Sequence, residues 1–236
     1  MTESSIKKYA IIVAGGSGTR MNAPVPKQFL KLEGRPVLFH TISKFEESNL
    51  NINIMLVLSS EQLPYWEQLC SEYNFHPKIT IAESGETRFH SVKNGLSLLD
   101  EEGIVAIHDA VRPLVSIKTI ATAFKAAEMY GNAVPAVPLN DSIRQIDSTL
   151  SIALDRTKYC IIQTPQCFSL GIIKKAYQQD YKYTYTDDAT VVEAIGEKIH
   201  LIDGNPDNIK ITTPKDLVIA EALLKNISLN LINKNN

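Results

Sequence analysis

Short apolar runs alternate with amphipathic segments along most of the chain. KYAIIVA (8–14), INIMLVLSS (52–60), KITIAES (78–84), IVAIHDA (104–110) and NAVPAVP (132–138) are rich in valine and isoleucine. They are nearly continuous rather than alternating, as expected of strands covered on both faces. Segments of helical periodicity lie between them, near 37–48, 61–74, 87–101 and 116–130. A strand–helix alternation of this kind predicts right-handed crossovers and a mostly parallel sheet flanked by helices. Binding sites in such sheets form at the carboxyl ends of the strands. Two polar segments follow strands and so fall on that edge: a glycine-rich loop after the first, and HDAVRP (108–113) at the end of the fourth.

One region breaks the rhythm. DSIRQIDSTLSIALDR (141–156) holds two short strand-like runs around Asp147-Ser148-Thr149, a hairpin signal. It carries Ile143, Ile146, Leu150, Ile152 and Leu154. A lone hairpin is marginal in water, so this one packs either on its own domain or, as an arm over about 139–158, on a second subunit. Beyond it the pattern predicts a helix over 169–180, another from Thr186 to Gly196, a strand over 199–204, and a last helix with Thr213 as N-cap, Pro214 in the first position and Asp216 at its positive end. The expectation is a single α/β domain, Rossmann-like, with a protruding hairpin arm.

Composition narrows the class without changing this picture. Hydrophobic residues make up 44% of the chain and charged residues 21%, so a packed core is expected rather than disorder. A net charge of -2 with no basic tract argues against a nucleic-acid surface. No apolar run approaches a membrane span, and MTESSIKKYAIIVAGG lacks a signal-peptide pattern, so a cytoplasmic location is expected. The three cysteines, Cys70, Cys160 and Cys167, are odd in number and lack CxxC spacing, which suggests neither a disulfide framework nor a zinc site.

The candidate chemistry is concentrated in VAGGSGTRMNAPVPKQF (13–29). A dinucleotide fingerprint fails, because Met21 stands where the third glycine belongs and the second strand ends in Ser59-Ser60 without an acidic residue. The GxxxxGK[ST] pattern is absent too. What remains is a loop whose backbone N–H groups can face an anion, with Arg20 offering a planar fork and Lys27 a point charge. That design suits a triphosphate and the charge developed in phosphoryl-type transfer. Read alone, the loop also fits a glycine turn with two solvated cations. Asp109 likewise fits either a site carboxylate or a structural partner of Arg112, and His108 fits a strand-end structural residue better than a base.

Taken with SGETRFHSV (84–92), HDAVRP (108–113), LDRTKYCIIQTPQCF (154–168), TDDATVVE (186–193) and DNIKITTPKDL (207–217), the loop resembles the motif set of the 2-C-methyl-D-erythritol 4-phosphate cytidylyltransferases. These are sugar-nucleotide-type nucleotidyltransferases of the non-mevalonate isoprenoid pathway. The motifs occur in the family's order across residues 8–224. The resemblance implies in-line attack of a sugar-alcohol phosphate on the α-phosphorus of CTP, with pyrophosphate leaving. It implies Arg20, Lys27, Arg156 and Lys210 as the catalytic cations. It implies a CTP site of Ala14, Gly15, Gly16, Gly18, Gly85, Glu86, Arg88 and Ser91. It places Asp109, Ser142, Arg156 and Lys210 around the second substrate, with Mg²⁺ held mainly by the CTP phosphates and Asp109 beside it. It also implies a homodimer in which the arm brings Ser142 and Arg156 to the partner's site. Two other readings stay open: a cytidylyltransferase for ribitol 5-phosphate or a related sugar phosphate, and an inert nucleotide-binding module.

Overall fold

The computed structural model describes residues 6–16, 25–99 and 102–234, with side chains to residue 227. Gly18 and Arg20 therefore lie outside the described residues. The first strand, β1 (Lys8–Val13), sits near the middle of an eight-stranded sheet. β4 (Ile52–Leu58) and β5 (Ile79–Glu83) extend the sheet from one side of it, all parallel. On its other side lies β6 (Ile104–Asp109), also parallel. Beyond β6 the sheet is mixed. β11 (Gln166–Ser169) runs antiparallel between β6 and β7 (Asn132–Pro138). β7 also pairs with β10 (Cys160–Ile162), antiparallel, and β12 (Leu201–Asp203), parallel.

The apolar runs look continuous because both faces of the sheet are covered, yet each strand alternates between two cores. Ala10, Ile12 and Ala14 face one core, together with α1 (Val37–Glu47), α2 (Leu63–Glu72) and α4 (Ile117–Tyr130). Tyr9 and Ile11 face the other, with α3 (Arg88–Ser97), α5 (Leu170–Ala176) and α6 (Asp188–Glu193). β6 repeats the division, Ile104 and Ala106 on the first face and Val105 and Ile107 on the second. β5, an edge strand, departs from the expectation of burial on both faces: of its residues only Ala82 is buried.

A third, smaller core places the end of the chain. Leu32, Val37, Val111, Leu114, Ile211 and Ala220 pack together. They dock α7 (Pro214–Lys234) against the small hairpin of β2 (Lys31–Leu32) and β3 (Arg35–Pro36) and against the loop after β6. Asp216 accepts from the Thr212 and Thr213 N–H groups at 2.9 and 2.8 Å, closing the start of α7 as its sequence suggests.

Two expected helices come out shorter. The one over 169–180 is α5, Leu170–Ala176, and the one from Thr186 is α6, whose N-cap is Asp187 in a capping box with Thr190. The hairpin is present, β8 (Ile143–Asp147) pairing with β9 (Leu150–Leu154) about a tight turn with Ser148 at φ +50°. It pairs with no other strand among the described residues. Ile146, Leu150 and Ile152 are 77%, 75% and 67% exposed, so packing on its own domain is not what this chain does.

The first core is knit by aromatic rings around Phe39, which meets Trp66 edge-on at 5.4 Å and stacks on Phe75 at 4.2 Å. Phe39 is fully buried. Phe39→Ala is therefore expected to cost about 3–5 kcal/mol. The check is a lowered urea midpoint with an unchanged denaturant slope.

Candidate functional site

A cavity of about 430 Å³ opens at the carboxyl edge of the parallel strands. Among the described residues it is lined by Val13 to Gly16 after β1, by Lys27 and Gln28, by Gly85 to Arg88 and Ser91 at the start of α3, by Asp109 to Val111 after β6, and by Lys210. The expected residues Ala14, Gly15, Gly16, Lys27, Gly85, Glu86, Arg88, Ser91, Asp109 and Lys210 thus meet in one place. Ser142 and Arg156 do not line it. Both are exposed at the base of the arm, where the Arg156 guanidinium donates to the Asn140 carbonyl.

Glycine is required on both loops, at Gly15 where they touch and at Gly85 where the second folds back on its own helix start. A Cβ on Gly15 would stand 2.4 Å from the Cβ of Ser84, and a Cβ on Gly85 would stand 2.4 Å from that of His90. Ser91 then holds the second loop from beneath, its hydroxyl accepting from the Gly85 N–H at 3.1 Å. Thr87 caps α3 as its position predicts, so Arg88 takes the first helical position. Gln28, within the PKQF run, is 1% exposed, and its amide donates to the Ala14 carbonyl at 2.5 Å and to the Gln62 side chain at 3.0 Å. It ties the 3-10 turn Lys27–Phe29 to the glycine loop, a role the motif alone did not assign.

At the opposite wall, one carboxylate gathers three cations. Lys210 Nζ lies 2.9 Å from Asp109 Oδ2, Arg112 Nε 3.3 Å from the same oxygen, and Arg88 Nε 3.5 Å from Oδ1. Burial opposes the charge on Asp109, but Arg88, Lys210 and Arg112 outweigh it and hold the carboxyl well below the usual carboxylate range. Both readings of Asp109 thus hold at once: it lines the cavity and it pairs with Arg112. Arg112 also donates to the Asn208 carbonyl at 2.8 Å, and the Ile211 N–H donates to the Val111 carbonyl at 2.9 Å. These bonds seat the DNIKIT segment so that Lys210 faces the cavity.

His108 lies behind Asp109, fully buried. The hydrogen bonds assign its tautomer. Thr164 Oγ1 accepts from the Asp109 N–H at 3.2 Å and spends its own proton on His108 Nδ1 at 3.1 Å, leaving Nε2–H to donate to the Arg112 carbonyl at 3.1 Å. Burial pushes its pKa down to about 4 despite the neighbouring carboxylate. A neutral imidazole with both nitrogens engaged is a structural residue, as the sequence suggests.

A magnesium ion would find few protein ligands. No three His, Cys, Asp or Glu side chains converge among the described residues. Of the carboxylates lining the cavity, Glu86 is exposed and Asp109 has Oδ2 doubly engaged, with Oδ1 facing Arg88 only at the longer 3.5 Å. Such a donor set fits an ion carried in by substrate phosphates, since Mg²⁺ usually takes one or two carboxylates plus phosphate oxygens.

The depressed His108 pKa has a sign that can be tested. Between about pH 6.5 and 4 the unfolded chain binds a proton at this position that the folded chain refuses, so stability falls as pH falls through that window. His40, also lowered by burial, adds to the slope. His108→Gln is expected to remove up to about 3 kcal/mol of the loss between pH 7 and 4, read as the difference between urea-denaturation curves of the two proteins. An identical pH slope in both would refute the assignment.

Comparison with known proteins identifies the family and the fold. Residues 9–226 match the family model for 2-C-methyl-D-erythritol 4-phosphate cytidylyltransferase. The chain is 46% identical over 219 residues to the 2-C-methyl-D-erythritol 4-phosphate cytidylyltransferase of Bacteroides thetaiotaomicron, covering 93% of this chain and 100% of that one. It is 48% identical over 221 residues to the protein of that name from Azobacteroides pseudotrichonymphae, covering 92% and 99%. The crystal structure of 4-diphosphocytidyl-2C-methyl-D-erythritol synthase from Anaerococcus prevotii superposes with a TM-score of 0.80 at 29% identity, covering 93% of this chain and 96% of that one. The chain belongs to the 2-C-methyl-D-erythritol 4-phosphate cytidylyltransferase family.

Proposed function

We propose that this chain transfers the cytidylyl group of CTP to the phosphate of 2-C-methyl-D-erythritol 4-phosphate, giving 4-diphosphocytidyl-2-C-methyl-D-erythritol and pyrophosphate. The observation that carries this reading is the cavity in which the glycine loop, the SGETRFHSV loop and the Asp109–Lys210 pair converge, in a chain of this family.

The chemistry follows from charge. A phosphate oxygen of the sugar phosphate attacks the α-phosphorus of CTP, a P–O bond forms, and the bond to the β-phosphate breaks with its electrons leaving on pyrophosphate. The nucleophile is already an anion, so no general base is needed. Ala14, Gly15, Gly16 and Gly18 offer backbone N–H groups to the triphosphate. Gly85, Glu86, Arg88 and Ser91 form the cytidine end, where carboxylate or carbonyl oxygens can accept from the exocyclic amine. Arg20 and Lys27 oppose charge on the oxygens as pyrophosphate departs, an effect larger in the transition state than in the ground state. Lys210 and Arg156 hold the attacking phosphate in line, with Ser142 beside them. Asp109 is the carboxylate that would help hold a Mg²⁺ ion brought in on the triphosphate, where the ion would supply charge neutralisation.

The arm supplies a dimer. Its exposed Ile146, Leu150 and Ile152 suit burial against a second copy, and Arg156 and Ser142 stand at its base, away from the cavity of their own chain. The reading is a homodimer in which each arm carries these two residues to the partner's site. Among the described residues no helix is long and apolar enough to cross a membrane. Both substrates are charged and water-soluble, which fits work in the cytoplasm.

Pyrophosphate release from CTP and methylerythritol phosphate tests the reaction. Release with ribitol 5-phosphate but not methylerythritol phosphate would overturn the substrate, and silence with both would overturn the activity. Lys27→Ala is expected to lose on the order of 3 kcal/mol of transition-state stabilisation, roughly a hundredfold in kcat at saturating CTP. The dimer is checked by mixing inactive Arg156→Ala and Lys27→Ala chains. Partial recovery is expected as mixed dimers form, and no recovery in dimers shown to be mixed would refute the shared site.

A further inference from the structure

Two buried polar residues outside the cavity hold Arg88, which lines it. Asp188, the first residue of α6, is 0% exposed and accepts three hydrogen bonds. Arg88 supplies two of them, Nη1 to Oδ1 at 2.9 Å and Nη2 to Oδ2 at 2.7 Å, and the Tyr177 hydroxyl supplies the third at 2.6 Å. Tyr177, just past α5, also stacks its ring on Phe89 at 4.6 Å, so it bonds the start of α6 and packs on the start of α3. The sheet fixes this corner in turn. Gln166 of β11 donates to Asp187 at 2.8 Å and accepts from the Ala189 N–H at 2.8 Å.

A guanidinium held by both Nη atoms on one carboxylate cannot rotate. Its Nε is then held in place, here within ion-pair distance of Asp109 Oδ1, at 3.5 Å. Oδ2 is left to Lys210 and Arg112. We infer that Tyr177 and Asp188 are positioning residues for the sugar-phosphate end of the site: by locking Arg88 onto Oδ1 of Asp109 they keep Oδ2 for Lys210 and so aim its ammonium into the cavity. The inference rests on the reading above that Lys210 holds the attacking phosphate. Without the charge on Asp188, Arg88 turns its paired Nη donors to Asp109, the other carboxylate it already touches, and competes with Lys210 there.

The effect is therefore expected to fall more heavily on the sugar phosphate than on CTP. Asp188→Asn, which keeps the shape and removes the charge, should raise KM for methylerythritol phosphate by about tenfold or more at saturating CTP, a larger factor than its effect on KM for CTP, whose site Arg88 also lines. Tyr177→Phe, which removes one hydroxyl, should raise the same KM by about two- to fivefold. In a Lys210→Ala background Asp188→Asn should cost little further in kcat/KM for the sugar phosphate, because the two act through one contact. Equal increases in both KM values, no change in either, or full additivity with Lys210→Ala would each overturn the proposal. Should Asp188→Asn fail to fold, Tyr177→Phe and its cycle with Lys210→Ala decide the matter on the same criteria. The Arg88 Nε–H signal in NMR reads the geometry without any substrate. It should exchange slowly in the parent and collapse in the Asp188 or Tyr177 variant; an unchanged signal overturns the proposal. If the parent makes no pyrophosphate, the functional reading fails, while this signal still decides whether Asp188 positions Arg88.

Discussion

The site is organised by one carboxylate. Asp109 ends a strand buried along its whole length and draws Arg88, Arg112 and Lys210 to itself from three separate parts of the chain. Three cations would not pack this closely around an apolar wall; their mutual repulsion in a low-dielectric setting would drive them into water. One anion among them makes the cluster tolerable and still leaves it positive. Asp188 neutralises part of that excess from the far side, so Asp109 and Asp188 together meet Arg88, Arg112 and Lys210, and one positive charge remains before Lys27 is counted. A cavity in this state gains by admitting phosphate. The constraint also runs backwards into the fold: Asp109 must not move, and Thr164 and His108 hold its strand end with hydrogen bonds that use every side-chain polar atom they carry. A charged imidazole there would add a fourth cation to a cluster with two carboxylates to share, and burial keeps it neutral.

The fold was legible wherever burial alone decides structure. β1, β4, β6 and β7 were visible as Val- and Ile-rich runs because the hydrophobic effect on two covered faces writes such runs. β10 and β11 were not, although they complete the sheet. Their segment, CIIQTPQCFS, places Gln163 and Gln166 at buried positions. Each glutamine is there to bond a distant backbone, Gln163 to Asn205 and Gln166 to the start of α6, and no periodicity can announce a partner more than twenty residues away. The overlong reading of the helix after Ser169 has a similar cause. The sequence continues in helix-compatible residues, but Tyr177 leaves the helix to reach Phe89 and Asp188.

The site divides the same way. Its lining residues were readable from motifs, since glycines beside cations have few other uses at a strand end. The partners that fix those residues were not. Gln28 sat inside a motif without an assigned bond, Arg112 was paired with Asp109 but not with the Asn208 carbonyl it also reaches, and Asp188 lies a hundred positions from the Arg88 it holds. The arm was legible as a hairpin, while its exposure from its own domain is something only three dimensions supply.

The two ends of the cavity are built by different physics, and this decides how each should fail. The glycine-loop end is steric. The loops after β1 and β5 approach until a Cβ on Gly15 would stand 2.4 Å from that of Ser84, a Cβ on Gly85 would stand 2.4 Å from that of His90 in its own segment, and neither contact can yield without moving backbone. The Asp109–Lys210 end is electrostatic. Lys210 is 39% exposed and held by an ion pair, so its position is a balance among cations rather than a fit. Steric complementarity fails abruptly, because closely packed backbone has no intermediate arrangement. A shared carboxylate fails by degrees, because losing one partner redistributes the others around it.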